Sequence, residues 1–151
     1  MKKAKLRVGA WLLLAGMLAG CGAQPYRPGD LKKNLTVNLE LQDGGLLTST
    51  SAAVGITHLG AGCEGDYRGY VELTRGANEL ALAPGQRTLV IVEISNRSLG
   101  SHRGMQRGAV LTPNPGARYQ IDANYGDGMY DFRLYELTRA GKRALPVGVD
   151  C

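Results

Sequence analysis

Apolar and polar residues alternate one by one along much of the chain after residue 34. In "LTVNLELQ", Leu35, Val37, Leu39 and Leu41 alternate with Thr36, Asn38, Glu40 and Gln42. A period of two puts one set of side chains on a buried face and the other in water, which predicts a half-buried strand. "DGGLLTSTS" reads as a loop. "AAVGITHL" is a weaker strand with Val54, Ile56 and His58 on one face, and "GYVELTRG" turns Val71 and Leu73 inward. In "NELALAPGQRTLVIVEIS", Leu80 and Leu82 precede a turn at Pro84-Gly85. The run 89–94 that follows is the most apolar in the body and is expected as a central strand buried on both sides. "RGAVLT" is a short strand closed by "PNPG". "ARYQIDANY" sets Tyr119, Ile121, Ala123 and Tyr125 on one face, and "GDG" makes a tight turn, because glycine tolerates positive φ. "MYDFRLYEL" returns with Tyr130, Phe132 and Leu134 inward, and "TRAGKRALPVGVDC" supplies a turn and an edge strand. No segment keeps a helical period. Seven to nine short strands spaced about ten residues apart predict an all-β fold, a single antiparallel β-sandwich over residues 34–151.

The first twenty residues follow another rule. "MKKAKLR" carries Lys2, Lys3, Lys5 and Arg7 and no acid, and "VGAWLLLAGMLA" is then apolar throughout. A basic start, a short apolar run and small residues at its end form a secretory signal over residues 1–20. As a helix the apolar run rises about 18 Å, too little for a hydrocarbon core of ~30 Å. Leu18-Ala19-Gly20-Cys21 resembles the lipobox of bacterial lipoproteins. The resemblance implies a diacylglyceryl thioether on Cys21, cleavage before it, and acylation of the new amino group. Several acyl chains anchor a protein stably where one does not. Gly22 after the cysteine implies outer-membrane sorting, with the domain facing the periplasm. Residues 21–33, with Pro25, Pro28, Gly29 and mixed charge, are expected as a flexible tether.

The signal also changes the electrostatic picture. The chain has 18 Lys and Arg against 13 Asp and Glu, a net charge of +5. Four of those bases lie in the signal, which leaves a nearly neutral mature chain. Nothing then calls for bulk binding to nucleic acid. Three cysteines occur, Cys21, Cys63 and Cys151. With Cys21 taken by lipid, Cys63 and Cys151 remain as an even pair in an oxidising compartment, and a disulfide between them is predicted.

Candidate chemistry is sparse. The histidines are His58 and His102. Ser101 and His102 are sequence neighbours, but adjacent strand residues point to opposite faces, so adjacency does little to make them a nucleophile–base pair. No G-x-S-x-G elbow occurs. His58, on an apolar face, is expected as a core histidine bonded to backbone. His58, Cys63, Glu64 and Asp66 match no zinc spacing. A calcium loop starting at Asp122 would need glycine sixth and glutamate twelfth, where Asp127 and Arg133 stand. No catalytic residue, metal or cofactor is expected. The exception is "NRSLGSHRGMQRG", 96–108, which carries Arg97, His102, Arg103 and Arg107, with no acid between Glu93 and Asp122. It reads as a long exposed loop between two strands, a natural place for binding, and its cations suit carboxylate or phosphate.

The body has its own likeness. "ELALAPGQRTLVIV", "LTPNPGARYQIDANY" and "YDFRLYEL" are similar to prealbumin-like, PEGA-type domains of bacterial surface proteins over about residues 69–137, though Ala83-Pro84-Gly85 stands where the PEGA turn would be. That likeness implies a sandwich of transthyretin-like or immunoglobulin-like plan in the cell envelope and no enzyme. The expectation is a lipid-anchored, non-enzymatic binding or structural module of the envelope, with an envelope protein or an anionic glycan as partner. The alternatives are an accessory lipoprotein of a trans-envelope, secretion-type machine and, third, a hydrolase.

Overall fold

A computed structural model describes residues 24–42 and 45–151 of the chain. The signal, the lipobox and Cys21 lie outside the described residues. Among the described residues the regular structure is nine strands and no helix. They are β1 (Leu35–Leu41), β2 (Thr48–Leu59), β3 (Gly65–Leu73), β4 (Gly76–Leu80), β5 (Thr88–Ser98), β6 (Ser101–Leu111), β7 (Arg118–Gly126), β8 (Met129–Thr138) and β9 (Gly141–Leu145). They form a five-stranded sheet ordered β4-β1-β7-β8-β9 and a four-stranded sheet ordered β3-β2-β5-β6. The two sheets make an all-β sandwich. One pairing departs from the antiparallel plan: β1 runs parallel to β7, with Leu35 beside Tyr119 and Leu41 beside Tyr125.

The alternation in the sequence builds the core directly. Leu35, Val37 and Leu39 of β1 face Val54 and Ile56 of β2, Val90, Val92 and Ile94 of β5, Ile121 and Ala123 of β7, and Phe132 and Leu134 of β8 in one buried cluster. Each fully buried Val, Leu or Ile contributes about 1.5–3 kcal/mol relative to exposure. Thr88 is buried among them, and its hydroxyl donates to the Gln86 carbonyl at 3.0 Å, so its polar atom is satisfied. The β7–β8 turn has Asp127 and Gly128 both at positive φ, 50° and 76°, as a two-residue hairpin of this twist requires.

Three expectations change in detail. The run 89–94 is central in its sheet but is buried on one side only: Val90, Val92 and Ile94 are inside, whereas Leu89, Ile91 and Glu93 are half-exposed on the outer face. The second sheet packs against one face, and nothing among the described residues stacks on the other. The segments 48–51 and 101–106, expected as loop, are strand. His58 is half-buried, and its side chain makes no bond to backbone among the described residues. Its Nε2 is buried without a partner among the described residues. Burial holds its pKa below the ordinary value, Arg68 adds to that, and Asp66 opposes it.

Both sides of the sandwich are crossed by terminal segments. Residues 24–26, expected within the tether, lie along β3: the Tyr70 amide donates to the Gln24 carbonyl at 2.9 Å, and the Tyr26 amide donates to the Tyr70 carbonyl at 2.8 Å. The Tyr26 hydroxyl reaches across to the Ala81 carbonyl at 2.7 Å. At the other side, residues after β9 leave the five-stranded sheet and descend along β6, where the Gly148 amide donates to the Gly108 carbonyl at 3.0 Å. The chain then reaches the β2–β3 turn, and Cys151 is joined to Cys63 by the expected disulfide, with Cα atoms 5.9 Å apart.

Candidate functional site

The basic segment 96–108 is a hairpin, not a loop. Ser98 pairs with Ser101 across Leu99-Gly100, and the ladder runs on without a break to Thr88–Leu111. Gly100, at φ 79°, makes the tight reversal possible. β2 pairs with β5 as far as Thr48–Ser98, whereas β3 ends at Leu73 opposite Ala52. The basic hairpin is therefore the end of a three-stranded extension that outruns its own sheet edge.

The register fixes which side each cation takes. Arg103 lies opposite Asn96, Met105 opposite Ile94 and Arg107 opposite Val92, so these three follow the inward side of the sheet. Arg97 and His102 lie opposite each other on the outer side. The expected single cluster is thus divided, two arginines towards the gap between the sheets and one arginine with the histidine on the outer face. A loop has no such rule; a strand imposes it through its period of two.

Elsewhere several cations are paired: Lys33 with Glu79, Arg68 with Asp66, Arg133 with Asp131, Lys142 with Asp122 and Arg143 with Glu136. Arg97, Arg103 and Arg107 make no ion pair or hydrogen bond among the described residues. The nearest acid on the hairpin, Glu93, accepts from the Gln106 amide at 2.9 Å.

Beside Arg107 a cleft of about 380 Å³ opens between β6, β8 and the C-terminal segment, lined by Arg107, Tyr130, Phe132, Val147 and Val149 among others. A second hollow of about 510 Å³ adjoins it at Met105, Arg107, Met129 and Tyr130. The Tyr130 hydroxyl donates to the Val92 carbonyl at 3.0 Å, tying β8 to β5. Burial drives the Tyr130 phenol far above its ordinary pKa, against the opposing charge of Arg107. The phenol stays neutral and acts as a donor and a wall, not as a base.

Ser101 shares a 2.5 Å hydroxyl contact with Ser98, with no base beside it. Among the described residues no group of three His, Cys, Asp or Glu side chains is placed to hold a metal. Sequence reasoning found the arginines but not Met105, which shares their side of β6, nor Met129 and Tyr130, which meet Arg107 only because the edge strand β6 lies across the sandwich from β8. No local signal in the sequence announces that contact. No family model, curated protein or solved structure matches the chain.

Proposed function

We propose that the protein is a lipid-anchored module of a bacterial cell envelope, held through Cys21 in the outer membrane and facing the periplasm, that binds an anionic partner without catalysis. One observation carries the binding part: Arg97, His102, Arg103 and Arg107 lie along one hairpin, β5–β6, and its three arginines make no ion pair among the described residues. A guanidinium is suited to carboxylate and phosphate because its planar fork can hold two oxygens. Envelope proteins and anionic glycans offer both groups. The anchoring part rests on the lipobox and on the basic, apolar, small-residue order of residues 1–20.

The test is retention on envelope fractions. Exposed charge contacts contribute about 0.2–1 kcal/mol each, so Arg97→Ser, Arg103→Ser and Arg107→Ser together should weaken retention roughly 3- to 150-fold at low salt and less at high salt. Unchanged retention of the triple variant at every salt concentration would place the binding site elsewhere. Cys21→Ser should give an unlipidated precursor; continued acyl labelling of that variant would remove the anchor from this reading.

A further inference from the structure

We infer that the free edge of β6, from His102 to Gln106, accepts an added strand, and that the occupant is an extended, acidic segment of a partner protein. This rests on the anionic-partner reading above and names the partner's class.

The first argument is the phase of the backbone. Ser98 and Ser101 face each other across the turn, so the odd-numbered residues of β6 direct their N–H and C=O groups towards β5. The even-numbered residues direct theirs away. Gly108 confirms the phase, because its carbonyl accepts from Gly148 on the far side. His102, Gly104 and Gln106 therefore present outward rungs with no backbone partner among the described residues. Unpaired rungs in a row are a template for another strand.

The second argument is a precedent within the molecule. The C-terminal segment already adds to this edge, in a parallel bridge between Ala109 and Gly148. It occupies only the lower part. The upper part, beside the basic hairpin end, is left open.

The third argument is what an incoming strand would meet. On the side facing the other sheet the edge displays Arg103, Met105 and Arg107 in order. The cleft beyond has Tyr130, Phe132 and Met129 as apolar surface. Its one lining acid, Asp131, is held by Arg133 at 3.0 Å. An added strand also has a period of two, so it would set an acid beside Arg103, an apolar residue beside Met105 and a second acid beside Arg107. The pattern that fits is acid–x–apolar–x–acid. A second copy of this chain, paired β6 to β6 in antiparallel fashion about Met105, would instead bring Arg103 against Arg107.

The experiment uses the full-length protein in detergent and a fluorescein-labelled peptide of order Thr-Glu-Thr-Val-Thr-Glu-Thr, read by anisotropy. A control peptide has proline in place of the valine and of the threonine on each side of it, so that donors to the outward rungs are lost whichever way the added strand runs. The parent should bind the first peptide and not the second. Arg103→Ser with Arg107→Ser should weaken binding roughly 2- to 30-fold. Gly104→Pro removes one outward N–H and no rung to β5, and should weaken binding about fivefold or more with every arginine in place. Amide exchange on the parent gives a check that needs no variant: Gly104 and Gln106 should become protected when the peptide is added. Equal binding of both peptides, or binding without that protection, overturns strand addition and leaves the anionic reading standing, since the latter is tested by salt-dependent retention on envelope fractions. No binding of the peptide also overturns the proposal, and the arginines then serve to guard the edge; dimerisation of the protein that Gly104→Pro abolishes overturns it as well, by making a second copy the occupant.

Discussion

The two edges of the four-stranded sheet are both crossed by a terminal segment, but they are held by different means. At β3, residues 24–26 make two backbone hydrogen bonds with Tyr70, and Tyr26 sends its ring and hydroxyl towards Ala81 at the core margin. At β6, the C-terminal segment makes one such bond, and its apolar side chains remain largely in water: Val147 is 53% exposed and Val149 56%. The first segment has burial and needs no covalent tie. The second has little, and it is the one with the disulfide. Glycine marks the crossing in each case. A Cβ on Gly69 would fall 2.6 Å from the Gln24 carbonyl oxygen and the Tyr26 nitrogen. A Cβ on Gly108 would fall 2.7 Å from the Val90 carbonyl oxygen and 3.3 Å from Val149 Cγ1.

The largest effect should come from opening the disulfide. Closing a loop of 88 residues removes chain entropy worth about 4–5 kcal/mol from the unfolded state. Cys63→Ser with Cys151→Ser should lower the urea midpoint accordingly, and the amide of Gly148 should lose its protection while that of Tyr70 keeps it. Equal loss at both amides would mean that the two covers are not independent. A smaller effect is expected from Gly69→Ala. With φ at +125° and backbone atoms of residues 24–26 in the way, the variant should cost roughly 1–3 kcal/mol and release the N-terminal cover, leaving the C-terminal one in place. Protection of Tyr70 with a normal melting temperature in that variant would show the close approach to be unimportant.

The third effect is one of pH and separates the covers most finely. Burial raises the pKa of the Tyr26 phenol, with Arg68 opposing. A raised pKa means that the folded state holds its proton more tightly than the unfolded one. That stability is complete below the ordinary phenol value of about 10 and is lost as pH rises through the folded value. Parent protein and Tyr26→Phe, melted at neutral and at strongly alkaline pH, should therefore differ: the parent loses the more on the alkaline side. Tyr130 titrates in both proteins and drops out of the difference. Identical alkaline losses would assign the sensitivity to another group.

These two covers also show where the sequence is legible and where it is not. β1, β7 and β8 could be drawn from alternation alone, because large apolar residues occupy every second position. The ends of β2 and β6 could not: Thr48–Ser51 and Ser101–Gly104 are small or polar on both faces, so a strand there has no contrast to display. Tyr26 is one aromatic in a stretch without a period, and its partner Ala81 lies 55 residues away. The parallel pairing of β1 with β7 is likewise absent from either strand's own pattern, since alternation gives a face and not a neighbour. The cysteine pair was legible for a different reason, parity, which holds over any distance. Of the candidate site, the arginines could be read but their division between two faces could not, since that follows from the hairpin register.

The disulfide has a mechanical meaning as well. It turns residues 63–151 into a closed ring that contains β3 to β9, and leaves β1 and β2 outside it. Both outside strands lie between ring strands, β1 between β4 and β7 and β2 between β3 and β5. A pull applied at the N-terminal side, against a load at the C-terminus, passes through β1 and β2 to Cys63 and across the sulfur bridge. It cannot draw out the ring. The slack that such a pull can release is limited to residues 24–63, roughly 140 Å at full extension. A domain pulled in this way would yield that length and then stop, with seven of its strands still on one inextensible loop.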